Sequence, residues 1–221
     1  MEKARLWTAG FVLDTLINLG IYIIYYMLMV VIAVEALNMG ASVAEAGLAT
    51  GIYIVGVLLA RLLAGRYIEL VGRKSMLYKG IGFYLLTTVL YFSFDSMTNL
   101  YIVRLLNGIG YGVAATATGT IIAGVIPKER RGEGVNYFAL SLSLAAGVGP
   151  LLGMLLQEHF SFVTIVDLCV VILLACLLAT VFLDVEEVEL SEEKLAELKE
   201  FRLDNFVEPR VFAISLVAFF M

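Results

Sequence analysis

Six stretches of this chain are predominantly apolar and each about 20 residues or longer, the length a helix needs to cross the hydrocarbon core of a bilayer. They fall at Leu6 to Ala36, Val43 to Ala64, Ser75 to Phe94, Leu100 to Ile126, Val135 to Leu156 and Phe160 to Leu183. In lipid, every backbone N–H and C=O must be satisfied internally, so a spanning segment is either a helix or a strand of a closed barrel. Continuous apolar runs suit helices, because barrel strands alternate. At 61% hydrophobic and 16% charged residues, the chain lacks the polar exterior of a water-soluble globule. The fold predicted is all-α and integral to the membrane. Six transmembrane helices over residues 1–183 form two sets of three, followed by an acidic cytoplasmic linker over 184–209 and the start of a seventh helix over 210–221.

That seventh apolar run, Val211 to Met221, reaches about 16 Å as a helix. It is too short to cross, so the chain is expected to be a piece of a longer protein ending inside this helix. The first stretch is about twice the 7 to 15 residues of a signal-peptide core and contains Asp14 and Asn18, so it is expected to be retained.

Basic residues set the orientation. Lys3 and Arg5 precede the first helix; Arg66, Arg73, Lys74 and Lys79 cluster between the second and third; Lys128, Arg130 and Arg131 lie between the fourth and fifth; Lys194, Lys199, Arg202 and Arg210 follow the sixth. The alternate loops near Met39, Asp95 and His159 have none. The asymmetry predicts a cytoplasmic N-terminus and linker. The net charge of −5 reflects the linker, which carries 10 of the 20 acidic residues between Asp184 and Glu208. Ser191 could cap a short linker helix bearing Leu195, Leu198 and Phe201, either solvated or lying against the bundle or the membrane surface. Cys169 and Cys176, about 10 Å apart along one helix, are read as packing residues.

Small residues four apart, Gly47 and Gly51, Gly108, Gly112 and Thr116, and Gly149 and Gly153, let helix backbones approach closely. Gly108, Gly110 and Gly112 imitate part of a dinucleotide-binding signature, but they lie inside a membrane helix with no preceding strand. No cofactor, metal site or nucleic-acid partner is implied, and the zinc-ligand pattern HExxH is absent.

Few polar groups lie in the apolar stretches. On helix 1, Asp14, Asn18, Tyr22 and Tyr25 recur every three or four residues as one polar and aromatic stripe suited to a cavity wall. Burial favours the neutral form of a carboxylate, so Asp14 could take up and release a proton, or attract a cationic substrate when ionised; the plainer reading is an aspartate capped near the cytoplasmic helix end. Arg104 costs about 3 kcal/mol inside the membrane unless it faces a polar cavity or a partner, the alternative being a structural arginine snorkelling outward. Asp167, at similar depth, is a candidate ion-pair partner for it. Arg61 can reach the interface near Arg66. Both buried groups, Arg104 and Asp14, are expected to line a water-filled passage.

Three motifs resemble a known family. GRYIELVGRKSML, Gly65 to Leu77, is similar to the G-x-L-x-D-R-x-G-R-R/K-x-x-L hallmark of the major facilitator superfamily: Gly65, Gly72, Arg73, Lys74 and Leu77 match, Glu69 keeps the charge of the usual Asp, and Tyr67 and Leu70 depart. LYIVRLLNGIGYG, Leu100 to Gly112, resembles the L-x-x-x-R-x-x-Q-G-x-G pattern of proton-coupled members, with Asn107 where Gln is usual. AAGVGPLLGM, Ala145 to Met154, resembles the G-x-x-x-G-P-x-x-G-G signature of antiporters, keeping Gly149, Pro150 and Gly153 as a helix-bend motif.

The resemblance implies the N-terminal half of a twelve-helix transporter of the cell membrane, akin to bacterial drug/proton antiporters, exporting a small amphipathic molecule in exchange for protons. The C-terminal half would supply the other wall of the cavity. Arg104 and Asp14 would couple protons, Gly65, Glu69, Gly72, Arg73 and Lys74 would form a conformational latch, and Asn18, Tyr22, Tyr25, Asn107 and Tyr111 would line the substrate cavity. A uniporter or importer of the same fold, or a non-transporting scaffold, is the alternative.

Overall fold

The computed structural model describes residues 5–187. Six α-helices follow one another with short connections: α1 Ala9–Asn38, α2 Val43–Val71, α3 Arg73–Val89, α4 Met97–Val125, α5 Arg131–His159 and α6 Phe162–Val181. No strand occurs among the described residues. The seventh apolar run, the Ser191 helix and the basic residues Lys3, Lys194, Lys199, Arg202 and Arg210 lie outside them.

Side chains at the helix starts hold the boundaries. Thr8, Ser42, Ser96 and Ser161 each accept from a backbone N–H three residues on, and Ser42 with Glu45 completes a reciprocal capping box. Five helices, α1, α2, α4, α5 and α6, are long and apolar enough to cross a membrane. α3 has only 17 residues, but a 3₁₀ turn, Leu90–Phe92, continues it, and together they reach about 31 Å. The bundle is apolar outward: Leu58, Leu86, Leu140, Val171 and Leu178 are all at least 60% exposed, a surface suited to lipid.

The two sets of three helices are paired by exchange. α2 packs on α4 while α5 packs on α1, and α3 packs on α4 while α6 packs on α1. Each set therefore lends its second and third helices to the first helix of the other. α1 and α4 touch at the centre, and residues from both dominate the buried core.

Contact between α2 and α4 is at backbone distance. A Cβ on Gly56 would lie 2.2 Å from the Leu105 carbonyl oxygen, and one on Gly108 would lie 2.2 Å from that of Tyr53. Only glycine fits either place. The expected close approach at Gly108 and Gly112 is thus real, whereas Gly47 and Gly51 have open space where a Cβ would stand and make no helix contact. Spacing identifies small residues, and the neighbour decides which of them pack.

Candidate functional site

Arg104, on α4, is completely buried. Its Nε donates to the Ala49 carbonyl at 3.0 Å, one terminal nitrogen to the Tyr91 hydroxyl at 3.4 Å and the other to the Met29 sulfur at 3.7 Å. The guanidinium carbon sits 4.2 Å from the centre of the Tyr53 ring. Among the described residues no carboxylate reaches ion-pair distance of it. A carbonyl dipole, a phenol, a thioether and a π face stand in for water and counter-ion. Asp167, the expected partner, is exposed and unpaired with it; α6 turns that residue outward.

The Tyr91 hydroxyl accepts from Arg104 and donates to Asn107 Oδ1 at 3.3 Å, while the Asn107 amide donates to Thr87 at 3.2 Å and Thr88 at 3.0 Å. Asn107 is fully buried by this network. It therefore ties α4 to α3 and faces no opening in this conformation, unlike the expected cavity position.

Asp14 is also fully buried, and neither carboxylate oxygen has a hydrogen-bond partner among the described residues. One helical turn on, Asn18 donates to the Ser141 hydroxyl and accepts from that of Thr118, both at 3.0 Å, joining α1 to α5 and α4. The stripe predicted on helix 1 exists but divides: Asp14 and Asn18 are sealed in packing, and Tyr22 and Tyr25 are half-buried. The expectation that Arg104 and Asp14 both line an open passage is not met in this conformation, because helix packing has taken the place of water around each.

Tyrosines gather beside Arg104. Tyr25 lies nearly parallel to Tyr111, with centres 4.9 Å apart and planes at 18°, and to Tyr53 at 5.5 Å and 23°. Tyr22 meets Tyr111 edge-on at 5.2 Å, and Tyr26 is tilted against Tyr25 at 4.7 Å. Tyr111 is buried. Tyr26, Tyr53 and Tyr91 were not among the predicted site residues; the four-residue steps from Tyr22 to Tyr26 and from Ala49 to Tyr53 gave the only hint.

The region expected as a loop between helices 2 and 3 is instead helix up to a single-residue turn. Gly65 lies inside α2 with open space around it, so it ends nothing. Gly72 alone, at φ +89°, reverses the chain. Glu69 pairs with Arg73 at 3.7 Å, one turn apart on the surface. The helix N-terminus is served by Glu187, whose carboxylate accepts from the backbone N–H of Arg73 at 2.7 Å and of Lys74 at 3.0 Å. Lys74 Nζ donates to the Val181 carbonyl at 3.0 Å at the end of α6. Opposite helix ends thus receive opposite charges. Thr8, Gly10, Gly124, Arg73 and residues 184–187 line a partly open cavity of about 490 Å³ at this end of the bundle. The first linker residues are part of the bundle's face, and an acidic residue directly after the sixth span, facing a basic turn, was the overlooked signal.

On α5, Gly149 lies against Tyr26 and the Ile23 carbonyl of α1, and Gly153 against the Met27 carbonyl. Pro150 stands inside the helix between them and removes one backbone donor.

Paired inverted helix sets with ionisable groups sealed inside define a multi-pass membrane protein of transporter-like architecture. The sequence profile of the Major Facilitator Superfamily matches residues 15–221, and the chain belongs to that family. It is 28% identical over 130 residues to an uncharacterised MFS-type transporter of Methanocaldococcus jannaschii, covering 59% of this chain and 34% of the relative. Multidrug resistance protein 3 of Bacillus subtilis is 31% identical over 113 residues, 51% and 22% of the two chains. Multidrug resistance protein MdtL of Escherichia coli O157:H7 is 24% identical over 184 residues, 82% and 47%. A crystal structure of the peptide transporter POT with alafosfalin superposes with a TM-score of 0.72 at 16% identity, over 95% of this chain and 45% of that one, a likeness of fold. The chain spans less than half the length of these relatives.

Proposed function

We propose that this chain forms the first half of a secondary transporter that exports a small amphipathic molecule in exchange for protons by alternating access. The observation that carries the reading is the pair of ionisable groups, Arg104 and Asp14, held with no exposure inside apolar helices. Such groups are costly in a membrane interior and mark transport pathways by default. The two relatives named multidrug resistance proteins support export.

In this mechanism a second six-helix half supplies the facing wall, and the substrate sits near mid-membrane between halves that rock against each other. Asp14 takes up a proton when the rocking opens its surroundings to water; a carboxylate without donor or cation carries the full desolvation cost, and protonation removes its charge. Arg104 lies on the same inner helices and tunes that exchange. The α2–α3 turn, with Glu69, Gly72, Arg73 and Lys74, latches one of the two states. The N-terminus and the linker face the cytoplasm, and the protein resides in the cell membrane.

The test is proton-coupled flux in vesicles containing the full-length protein. Arg104→Ala abolishes substrate-driven proton release while a substrate-binding signal persists. Undiminished coupled transport by that variant removes Arg104 from the mechanism.

A further inference from the structure

Two contacts fix the level of Asp14 against α4. A Cβ on Gly10 would lie 3.7 Å from Val125 Cγ1, and Asn18 accepts from the Thr118 hydroxyl at 3.0 Å. Asp14 is four residues from each, and residues four apart share a helix face, so it stands on the α4-facing stripe of α1 between those contacts. Midway between Thr118 and Val125 lie Ile121 and Ile122, both buried, which sets Asp14 opposite them. The cavity at the basic end of the bundle reaches the same level, for its walls include Gly10 on α1 and Ile121, Gly124 and Val125 on α4. Asp14, with no exposure and no hydrogen-bond partner among the described residues, is one turn, about 6 Å along the axis, beyond a residue that lines the cavity. That distance leaves room for one layer of side chains.

The cavity, about 490 Å³ and partly open, has room for many waters at about 30 Å³ each. Residues 184–187 strap its mouth. The Asp184 carbonyl oxygen would lie 3.7 Å from a Cβ on Gly10, and Glu187 is held by the N–H groups of Arg73 and Lys74. Glu187 is thus committed to α3, while Asp184 and Glu186 are exposed carboxylates on the cavity wall. The cation that lines it is Arg73, whose guanidinium would lie 2.9 Å from a Cβ on Gly124. Around Asp14, α4 carries no ionisable group from Thr118 to Val125, α5 approaches with Ser141 at Asn18, and α6 with Cys176 at the Ile17 carbonyl. The α2–α3 end adds Arg66, Glu69, Lys74 and Lys79 to its charges.

We infer that Asp14 exchanges its proton with this side of the membrane through the cavity under the 184–187 strap, within this half of the transporter, and that Asp184 and Glu186 are the carboxylates that receive it. When rocking parts the Gly10–Ile121 layer, the O–H bond of the Asp14 carboxyl breaks to a water in the cavity. The hydronium so formed gives the proton to Glu186 or Asp184, bulk water takes it on, and Asp14 is left as a carboxylate. This path rests on the transporter reading above and supplies the exit for its proton.

The test is thiol labelling of Asp14→Cys in the full-length protein in inside-out vesicles. The probes are two membrane-impermeant methanethiosulfonates, one bearing a trimethylammonium group and one a sulfonate, with each rate divided by that for a free thiol. Cys169 and Cys176 are buried, and the protein without Asp14→Cys sets the background. Both probes label position 14, the ammonium several-fold faster on this scale, and Asp184→Asn with Glu186→Gln removes that preference. Gly10→Leu, which fills the cavity floor, slows labelling about tenfold, and Val125→Phe does so from the α4 wall should the first variant fail to fold. Rates unchanged in both folded variants place the route in the crevice between the two halves and overturn the inference. So does labelling confined to right-side-out vesicles, or no labelling from either side. Ethidium-coupled proton release by the wild-type protein, measured in parallel, persists if the path alone is wrong. Its absence counts against the transporter reading and overturns the path with it.

Discussion

The Arg104 guanidinium lies 4.2 Å from the centre of the Tyr53 ring while its Nε reaches the Ala49 carbonyl one turn earlier on the same helix, so α2 alone supplies a π face and a dipole to a charge carried by α4. Tyr53→Leu keeps an apolar side chain there and removes the face. A desolvated cation–π contact is worth about 2 kcal/mol, and that loss of stability is expected. Tyr53→Phe retains the ring and forfeits only a long contact, 3.5 Å, to the Tyr84 hydroxyl. Denaturant titration of both variants in detergent checks the ordering.

The backbone approach of α2 and α4 sets a second expectation. Gly108→Ala places a methyl group against the Tyr53 carbonyl, where nothing flexible can yield, and is expected to cost at least about 3 kcal/mol, the upper range for overpacking. Gly51→Ala meets open space and leaves stability unchanged. Thermal unfolding followed by size-exclusion chromatography distinguishes them; equal behaviour would contradict the packing described.

Asn107 stands where the family pattern carries glutamine, yet it is enclosed by Thr87, Thr88 and Tyr91. Asn107→Gln adds one methylene to a sealed site and is expected to destabilise by about 1–3 kcal/mol. Asn107→Leu takes the acceptor from the Tyr91 hydroxyl and one donor each from Thr87 and Thr88, which keep their carbonyl partners; partners lost between membrane helices cost about 1–2 kcal/mol. Both are read from the unfolding midpoint.

Glu187 closes the turn between α2 and α3 from outside the motif. Glu187→Gln removes the negative charge from the N-terminus of α3 and is expected to cost about 0.5–1 kcal/mol, an effect screened by salt. Hydrogen exchange at the Arg73 and Lys74 amides, which Glu187 accepts from, should accelerate several-fold; unchanged protection would mean that the carboxylate does not hold them.

Much of this fold was legible along the chain. The six apolar runs foretold six helices: the second starts at Val43 as expected behind Ser42, Thr8, Ser96 and Ser161 set the starts of α1, α4 and α6 two to three residues from the expected ones, and α2 runs on past Ala64 to Val71. Arg104 and Asp14 stood out because a charge in an apolar run is expensive wherever the run sits. Their surroundings were not legible. The partners of Arg104 come from residues 49, 91, 29 and 53, which no local period connects. Asp167 looked equally deep by counting, yet lies on the outer side of α6. Depth follows from position along a helix, but facing depends on which neighbour the helix meets.

Sequence by itself determined the solvent, the six helices of the described residues and the groups that lipid would not tolerate, since those follow from length, hydropathy and the cost of unpaired backbone. Only the tertiary structure decided that α2 joins α4 and α5 joins α1, that Gly108 packs while Gly51 does not, and that Arg104 is satisfied by a ring and a carbonyl with no acid. These depend on contacts between residues tens of positions apart, and contact energies of that kind are fixed by geometry in space that the order of residues along one helix does not contain.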